Sequence, residues 1–125
     1  MQIAITGGRD QHLSLPQARE FVRLLRGNTH INGGSRGVDE NARTLIFRMR
    51  LAEALRKNLL TPPATVFAAQ WKTHGKAAGH IRNRLMLDCS QALIVCTGGK
   101  GTGDCFNQAV KLRVPIVDFR ALGNQ

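Results

Sequence analysis

Three times in this 125-residue chain a pair of adjacent glycines follows a short apolar run and precedes an amphipathic one: Gly7-Gly8, Gly33-Gly34 and Gly98-Gly99. Short apolar runs that alternate with helix-period runs are the pattern of strand-helix units, which close into a sheet covered on both faces. The apolar runs predict strands over 3–5, 29–32, 64–68, 92–96 and 115–117. Helices are predicted from the cap at Ser14 to about 26, then over 38–57, 78–88 and 102–111. Ser14, with Pro16 in the first turn and Gln17 three residues on, is a capping-box start. The run 92–96 is apolar throughout rather than alternating, as a strand buried on both faces requires. The expected architecture is α/β: three layers around a mainly parallel five-stranded sheet.

Right-handed crossovers put every strand-to-helix loop on one rim, at the carboxyl ends of the strands. All three glycine loops, and the polar loop around Trp71, should therefore meet there. Glycine lets backbone N–H groups approach an oxyanion without a Cβ in the way, and a following helix adds free donors and a positive dipole end. Each pair has a basic residue within two positions: Arg9, Arg36 and Lys100. The expected anion cradle comprises Gly7, Gly8 and Arg9; Gly33, Gly34, Ser35, Arg36 and Gly37; and Gly98, Gly99, Lys100, Gly101 and Thr102. A cation at Arg36, beside a helix start, opposes the helix dipole unless an anion sits between them.

Composition agrees with such a site. The formal net charge is +10, which calls for an anionic partner: a nucleotide, a nucleic acid or an acidic surface. Hydrophobic residues make up 42%, too many for a disordered chain, and no run is long enough to span a membrane. A strand directly after Met1 leaves no room for a signal peptide, so the expected location is the cytoplasm. The cysteines, Cys89, Cys96 and Cys105, are odd in number and form no C-x-x-C pair, which points to reduced thiols. Cys96 ends a buried strand pattern; Cys105 follows the third glycine loop, within reach of a ligand there. His74 and His80 have no metal-ligand spacing, so neither a metal nor a resident cofactor is expected.

Two common phosphate motifs are absent. Gly7-Gly8-Arg9-Asp10 is not G-x-G-x-x-G, and Gly99-Lys100-Gly101-Thr102 lacks the spacing of a P-loop. The set of motifs resembles the SLOG superfamily, in its small single-domain YspA-like (cpYpsA-related) branch. The resemblance rests on Thr6-Gly7-Gly8-Arg9-Asp10, on Gly33-Gly34-Ser35-Arg36-Gly37-Val38-Asp39, on Trp71 with Gly75, Ala78, Gly79, Arg82 and Asn83, and on Gly98 through Asp104. It implies one Rossmann-like nucleotide-ligand domain over 1–120, with a polar tail over 121–125. With Gly79 before them and the rim in front, Arg82 is expected to reach the ligand and Asn83 to orient the loop. Relatives under that resemblance include the Lonely Guy nucleoside-monophosphate hydrolases, the DNA-binding DprA proteins and sensors of signalling nucleotides. The Lonely Guy pattern P-G-G-x-G-T-x-x-E is broken here: Thr97 replaces the proline and Cys105 stands at the glutamate.

Asp39 and Asp104 each fall in the first turn of a predicted helix. There they stabilise the dipole, bind a ribose diol, or serve as catalytic carboxylates; Asp10 and Glu40 are lesser candidates. Trp71 stacks on a base or packs its loop. Three functions follow. The first is a protein that senses, carries or sequesters an ADP-ribose-like or cyclic signalling nucleotide. The second is an N-glycosidic hydrolase of nucleoside phosphates or NAD-like molecules. The third is DprA-like nucleic-acid binding, which an aromatic content of 5% disfavours. The helix 38–57 carries a second apolar stripe, Phe47, Leu51, Leu55 and Leu59, that either meets another copy in a homo-oligomer or lies under a long loop.

Overall fold

A computed structural model describes residues 1–122. Five strands, β1 (Gln2–Thr6), β2 (Thr29–Asn32), β3 (Thr65–Val66), β4 (Ala92–Val95) and β5 (Ile116–Asp118), form one sheet. Its order is β3-β2-β1-β4-β5 and every pairing is parallel. The register sets Ile3 beside His30 on one side and beside Ala92 on the other. The helices are α1 (Leu15–Leu25), α2 (Val38–Leu55), the single turn α3 (Trp71–His74), α4 (Ala78–Asp88) and α5 (Lys100–Leu112).

α1 and α2 cover one face and α4 and α5 the other, the arrangement that right-handed crossovers produce. Two cores result. Ile3, Ile5 and Ile94 pack with Phe21, Val38, Ala42 and Ile46 on the first face. Ala4, Ile31, Leu93 and Val95 pack with Met86, Leu87, Cys105 and Ala109 on the second. Neighbouring residues of β1 and β4 thus bury their side chains in opposite layers, as the two-residue strand period dictates. The chain is a Rossmann-like α/β sandwich.

The local starts are those the sequence predicts. Ser14 Oγ accepts from the Gln17 amide at 3.3 Å, and Gln17 Oε1 accepts from the Ser14 amide at 2.9 Å. Gln17 is buried and also donates to the Phe119 carbonyl at 2.8 Å, tying α1 to the end of the chain.

Three differences from the expected elements have physical causes. β3 keeps only Thr65 and Val66, because it is an edge strand with a partner on one side alone. The region around Trp71 is not a loop: it forms α3 and a 3-10 turn over Gly75–Ala77 that lead into α4. α5 begins at Lys100, so Lys100, Gly101 and Thr102 are helical rather than part of the loop. The expected polar tail starts at the end of a last 3-10 turn, Phe119–Ala121; residues 123–125 lie outside the described residues. No described helix is long and apolar enough to cross a membrane.

Candidate functional site

The carboxyl ends of β3, β2, β1 and β4 open into one cavity of about 790 Å3. Ala68, Ala69 and Trp71 line it after β3; Gly33, Gly34, Ser35 and Arg36 after β2; Gly7 through Gln11 after β1; and Gly98 through Thr102 after β4. Arg82 of α4 completes it. Four adjacent strand ends are three inter-strand steps, so the cavity is roughly 14 Å long. Motifs 90 positions apart in the chain come together because the crossovers share one hand.

Close packing holds the loops against each other. A Cβ on Gly98 would stand 2.7 Å from the Gly8 amide nitrogen and 2.8 Å from Thr102 Cβ. The Gly8 amide donates to the Thr97 carbonyl at 2.9 Å, joining the first loop to the third. Gly37 has φ +74°, and a Cβ there would meet the Arg9 carbonyl oxygen at 2.5 Å. Gly37 is thus required for packing the second loop on the first. It does not line the cavity, although the sequence places it among the residues of the anion cradle.

The three loops differ in what they offer a ligand. In the second loop the Gly33 amide donates to Asp39 Oδ2 at 3.1 Å, the Ser35 amide at 3.4 Å and the Ser35 hydroxyl at 3.0 Å. The Gly34 amide donates to Asn32 Oδ1 at 2.8 Å. Arg43 fastens the same loop from behind, donating to Asn32 Oδ1 at 3.1 Å and to the Ser35 carbonyl at 3.0 Å. The amides of Gly33, Gly34 and Ser35 are therefore already taken, and the Arg36 side chain is the cation this loop offers an anion. The third loop is the reverse. Gly99 caps α5 with no side-chain hydrogen bond, so the first-turn amides of Lys100, Gly101 and Thr102 are left open at the cavity wall. That is the anion-binding end, with the Lys100 ammonium beside it.

Asp39 is buried and lies beneath the cavity, not in it. Burial pushes its carboxyl above the usual range; the hydrogen bonds from Ser35 and Gly33 and the Arg82 charge only partly offset this. Asp104 points away as well. It accepts from His80 Nδ1 at 2.7 Å, from Asn83 Nδ2 at 3.0 Å and from Gln108 Nε2 at 2.9 Å. Burial pushes the Asp104 carboxyl up, but those three bonds outweigh it and hold it below the ordinary value. Asp39 and Asp104, expected as ribose-binding or catalytic carboxylates, thus both accept from protein donors and stand outside the cavity lining. Asp10, on the first loop, is the carboxylate among the described cavity residues.

Arg82 divides its guanidinium. Nη1 donates to the Gly33 carbonyl at 2.8 Å and reaches the Phe67 carbonyl at 3.4 Å, while Nε donates to Asn83 Oδ1 at 3.1 Å. Asn83 is buried outside the cavity wall and donates to the Gly101 carbonyl at 3.2 Å. Arg82 and Asn83 thus couple the second loop to the start of α5. Trp71 is half exposed at the cavity wall; a Cβ on Gly79 would stand 3.5 Å from its Cη2, so the indole rests on the first turn of α4.

Cys105 is fully buried, and burial pushes its thiol up to about 12. The expectation that it approaches a ligand is corrected, since its side chain faces the sheet rather than the rim. Cys96 is buried as expected and is likewise pushed up to about 12. Among the described residues no group of three or more His, Cys, Asp or Glu stands close enough to hold a metal. Gln11, Ala68 and Ala69 line the cavity without having been singled out in the sequence. Only the one-rim argument could have found them, since alanine carries no chemical signal.

No family model matches the chain. Among curated proteins it is similar to the Gene 61 protein of Mycobacterium phage D29, 30% identical over 105 residues, which cover 82% of this chain and 79% of that protein.

Proposed function

This chain belongs to the family of the phage Gene 61 protein, and we propose that it binds a soluble nucleotide-derived phosphate ligand, ADP-ribose-like or a cyclic signalling nucleotide, as a sensor, carrier or sequestering protein. The observation that carries this reading is the uncapped start of α5 at Gly99 and Lys100, open to a cavity whose rim also holds Arg9, Arg36 and Arg82. A phosphate placed there receives backbone N–H donors, the helix dipole and a full positive charge. The cavity is long enough for a sugar and a base beyond the phosphate, and Trp71 offers a flat apolar face. The SLOG resemblance supports the same class of ligand. Hydrolysis is not part of the reading, because the two carboxylates considered for it are hydrogen-bonded away from the cavity.

The exposed stripe on α2 belongs to the proposal too. Phe47, Leu51 and Leu55 of α2 are exposed, as is Leu59, which lies beyond the end of the helix rather than on its stripe, and no described loop covers them. Covering this stripe with a second copy makes the protein a homo-oligomer.

Isothermal titration with AMP, ADP, ADP-ribose, NAD and cyclic dinucleotides tests the reading. A micromolar dissociation constant, of the order three charge-assisted hydrogen bonds supply, is expected for at least one of them. Lys100→Ala should weaken that binding about tenfold without lowering stability. Silence across the panel at millimolar ligand sinks the proposal. Binding that instead favours single-stranded DNA, and falls steeply with salt, replaces the small ligand with nucleic acid.

A further inference from the structure

Four cations and one carboxylate stand around the cavity: Arg9, Arg36, Arg82 and Lys100 against Asp10. An acid is costly in a site for a phosphate, since like charges repel. It is also not needed to hold the fold. Asp10 is 85% exposed, and its one ion pair, to Arg36 Nη2 at 3.1 Å, is itself solvent-exposed and weak. Asp39 and Asp104 differ in each respect: each accepts three hydrogen bonds from the protein. Asp10 accepts one, at Oδ1, and no other protein donor reaches it among the described residues.

From this contrast we infer that Asp10 reads the vicinal hydroxyls of a ribose on the bound ligand, with Arg36 as its place-holder in the free protein. This rests on the ligand class proposed above. A carboxylate is an acceptor with two oxygens, and a cis-diol presents two donors side by side, so the two match without any further group. Position agrees with chemistry. The loop that carries Asp10 follows β1, next to β4, whose loop leads into the open start of α5. One strand step, roughly 5 Å, separates the two loops, the scale of a sugar attached to its phosphate. Arg36 comes from the far side, after β2. An arriving anion draws the Arg36 guanidinium off Asp10, and the freed carboxylate takes the diol. Ligand binding thereby exchanges an exposed ion pair for two charge-assisted contacts.

The consequence is selectivity for ribose over deoxyribose. ADP-ribose, ADP and the 2′-deoxy form of each are titrated into the protein and into Asp10→Ala and Asp10→Asn. The unaltered protein should bind each ribose form at least tenfold tighter than its deoxy counterpart, the size of one lost hydrogen bond to a charged group. In Asp10→Ala the gap should fall below twofold, because the deoxy form loses nothing there. Asp10→Asn, which keeps one acceptor, should lie between. The exposure of Asp10 predicts unchanged thermal midpoints, so a shift in affinity is not a loss of fold. Equal binding of ribose and deoxy forms by the unaltered protein, or a gap that survives in Asp10→Ala, overturns the role of Asp10 and leaves the ligand class standing. Absence of binding by any of the four compounds overturns the role of Asp10, and overturns the ligand class as well when AMP, NAD and the cyclic dinucleotides are also silent.

Discussion

The Asp39 carboxylate accepts from the Gly33 amide at 3.1 Å, so the acid that opens α2 folds back onto the loop that precedes it. The same oxygen takes the Ser35 amide and hydroxyl. A buried carboxylate with three donors behaves as a nail through the second glycine loop. Removing it leaves the buried Gly33 amide without its partner and frees the second loop at Ser35. Asp39→Ala should therefore cost about 2–3 kcal/mol of stability. Asp39→Asn keeps an acceptor and should cost less. Urea denaturation checks this, and an Asp39→Ala midpoint equal to that of the unaltered protein contradicts it.

The glycines separate into two kinds. Gly37 has positive φ and would drive a Cβ into the first loop, whereas Gly99 has φ −95° and open space where a Cβ would be. Gly37→Ala should lose about 2 kcal/mol or more through strain and overlap. Gly99→Ala should leave stability within about 0.5 kcal/mol and act, if at all, on ligand affinity. Thermal midpoints of the two variants side by side decide this; equal losses count against it.

Much of this was legible in the sequence, and the limits have a common cause. The strand-helix alternation and the hand of the crossovers are enough to bring residues 7 and 99 to one rim, because both rules act on the backbone. Which way a side chain turns is another matter. Asp39 and Asp10 are both acids next to glycine loops, yet Asp39 turns inward to three donors and Asp10 outward to solvent. That choice depends on the free amides of the neighbouring loop, which appear only once the loop is folded. The same holds for Asp104, which reads as a site acid but is claimed by His80, Asn83 and Gln108 from across the α4–α5 contact. Helix periodicity does mark the α2 stripe as surplus to the core, since Ala42 and Ile46 are buried while Phe47 is 66% and Leu55 78% exposed.

That stripe makes its own prediction. If a second copy covers it, a charge in its middle opposes burial. Light scattering should give a mass above that of one chain for the unaltered protein and the mass of one chain for Leu51→Glu with Leu55→Glu, with α-helical content unchanged. A single-chain mass for the unaltered protein at high concentration removes the oligomer from the proposal.

The thiols should react unequally. Cys89 is exposed, while burial pushes the Cys96 and Cys105 thiols up to about 12 and closes them to reagent. The thiolate is the reactive species. A disulfide reagent at pH 8 should therefore titrate one thiol in the native protein and three after denaturation. Three fast equivalents in the native state would mean that both cores open readily, since Cys96 sits in the first and Cys105 in the second.

Acid should weaken the fold through His30. The ring is buried under the α1 layer, edge-on to Phe21 with centroids 5.1 Å apart, and its Nε2 lies 3.3 Å from Asn32 Nδ2. Desolvation, with a smaller push from the Arg43 charge, pulls its pKa from 6.5 down to about 4. Between those two values the unfolded chain holds a proton that the native protein does not, so stability rises with pH across that window. Above about pH 6.5 both states are neutral at His30 and the penalty is absent. It grows as pH falls and levels off below about pH 4, where it reaches about 3 kcal/mol. Carboxylates titrate in the same range, so the test is a difference. Urea midpoints at pH 7 and pH 4.5 are compared for the unaltered protein and for His30→Leu, which fills a similar volume without a titrating ring. The variant should lose about 2–3 kcal/mol less on acidification. Equal losses in the two proteins would mean that His30 takes up its proton within the folded state, through an opening of the layer between α1 and the sheet.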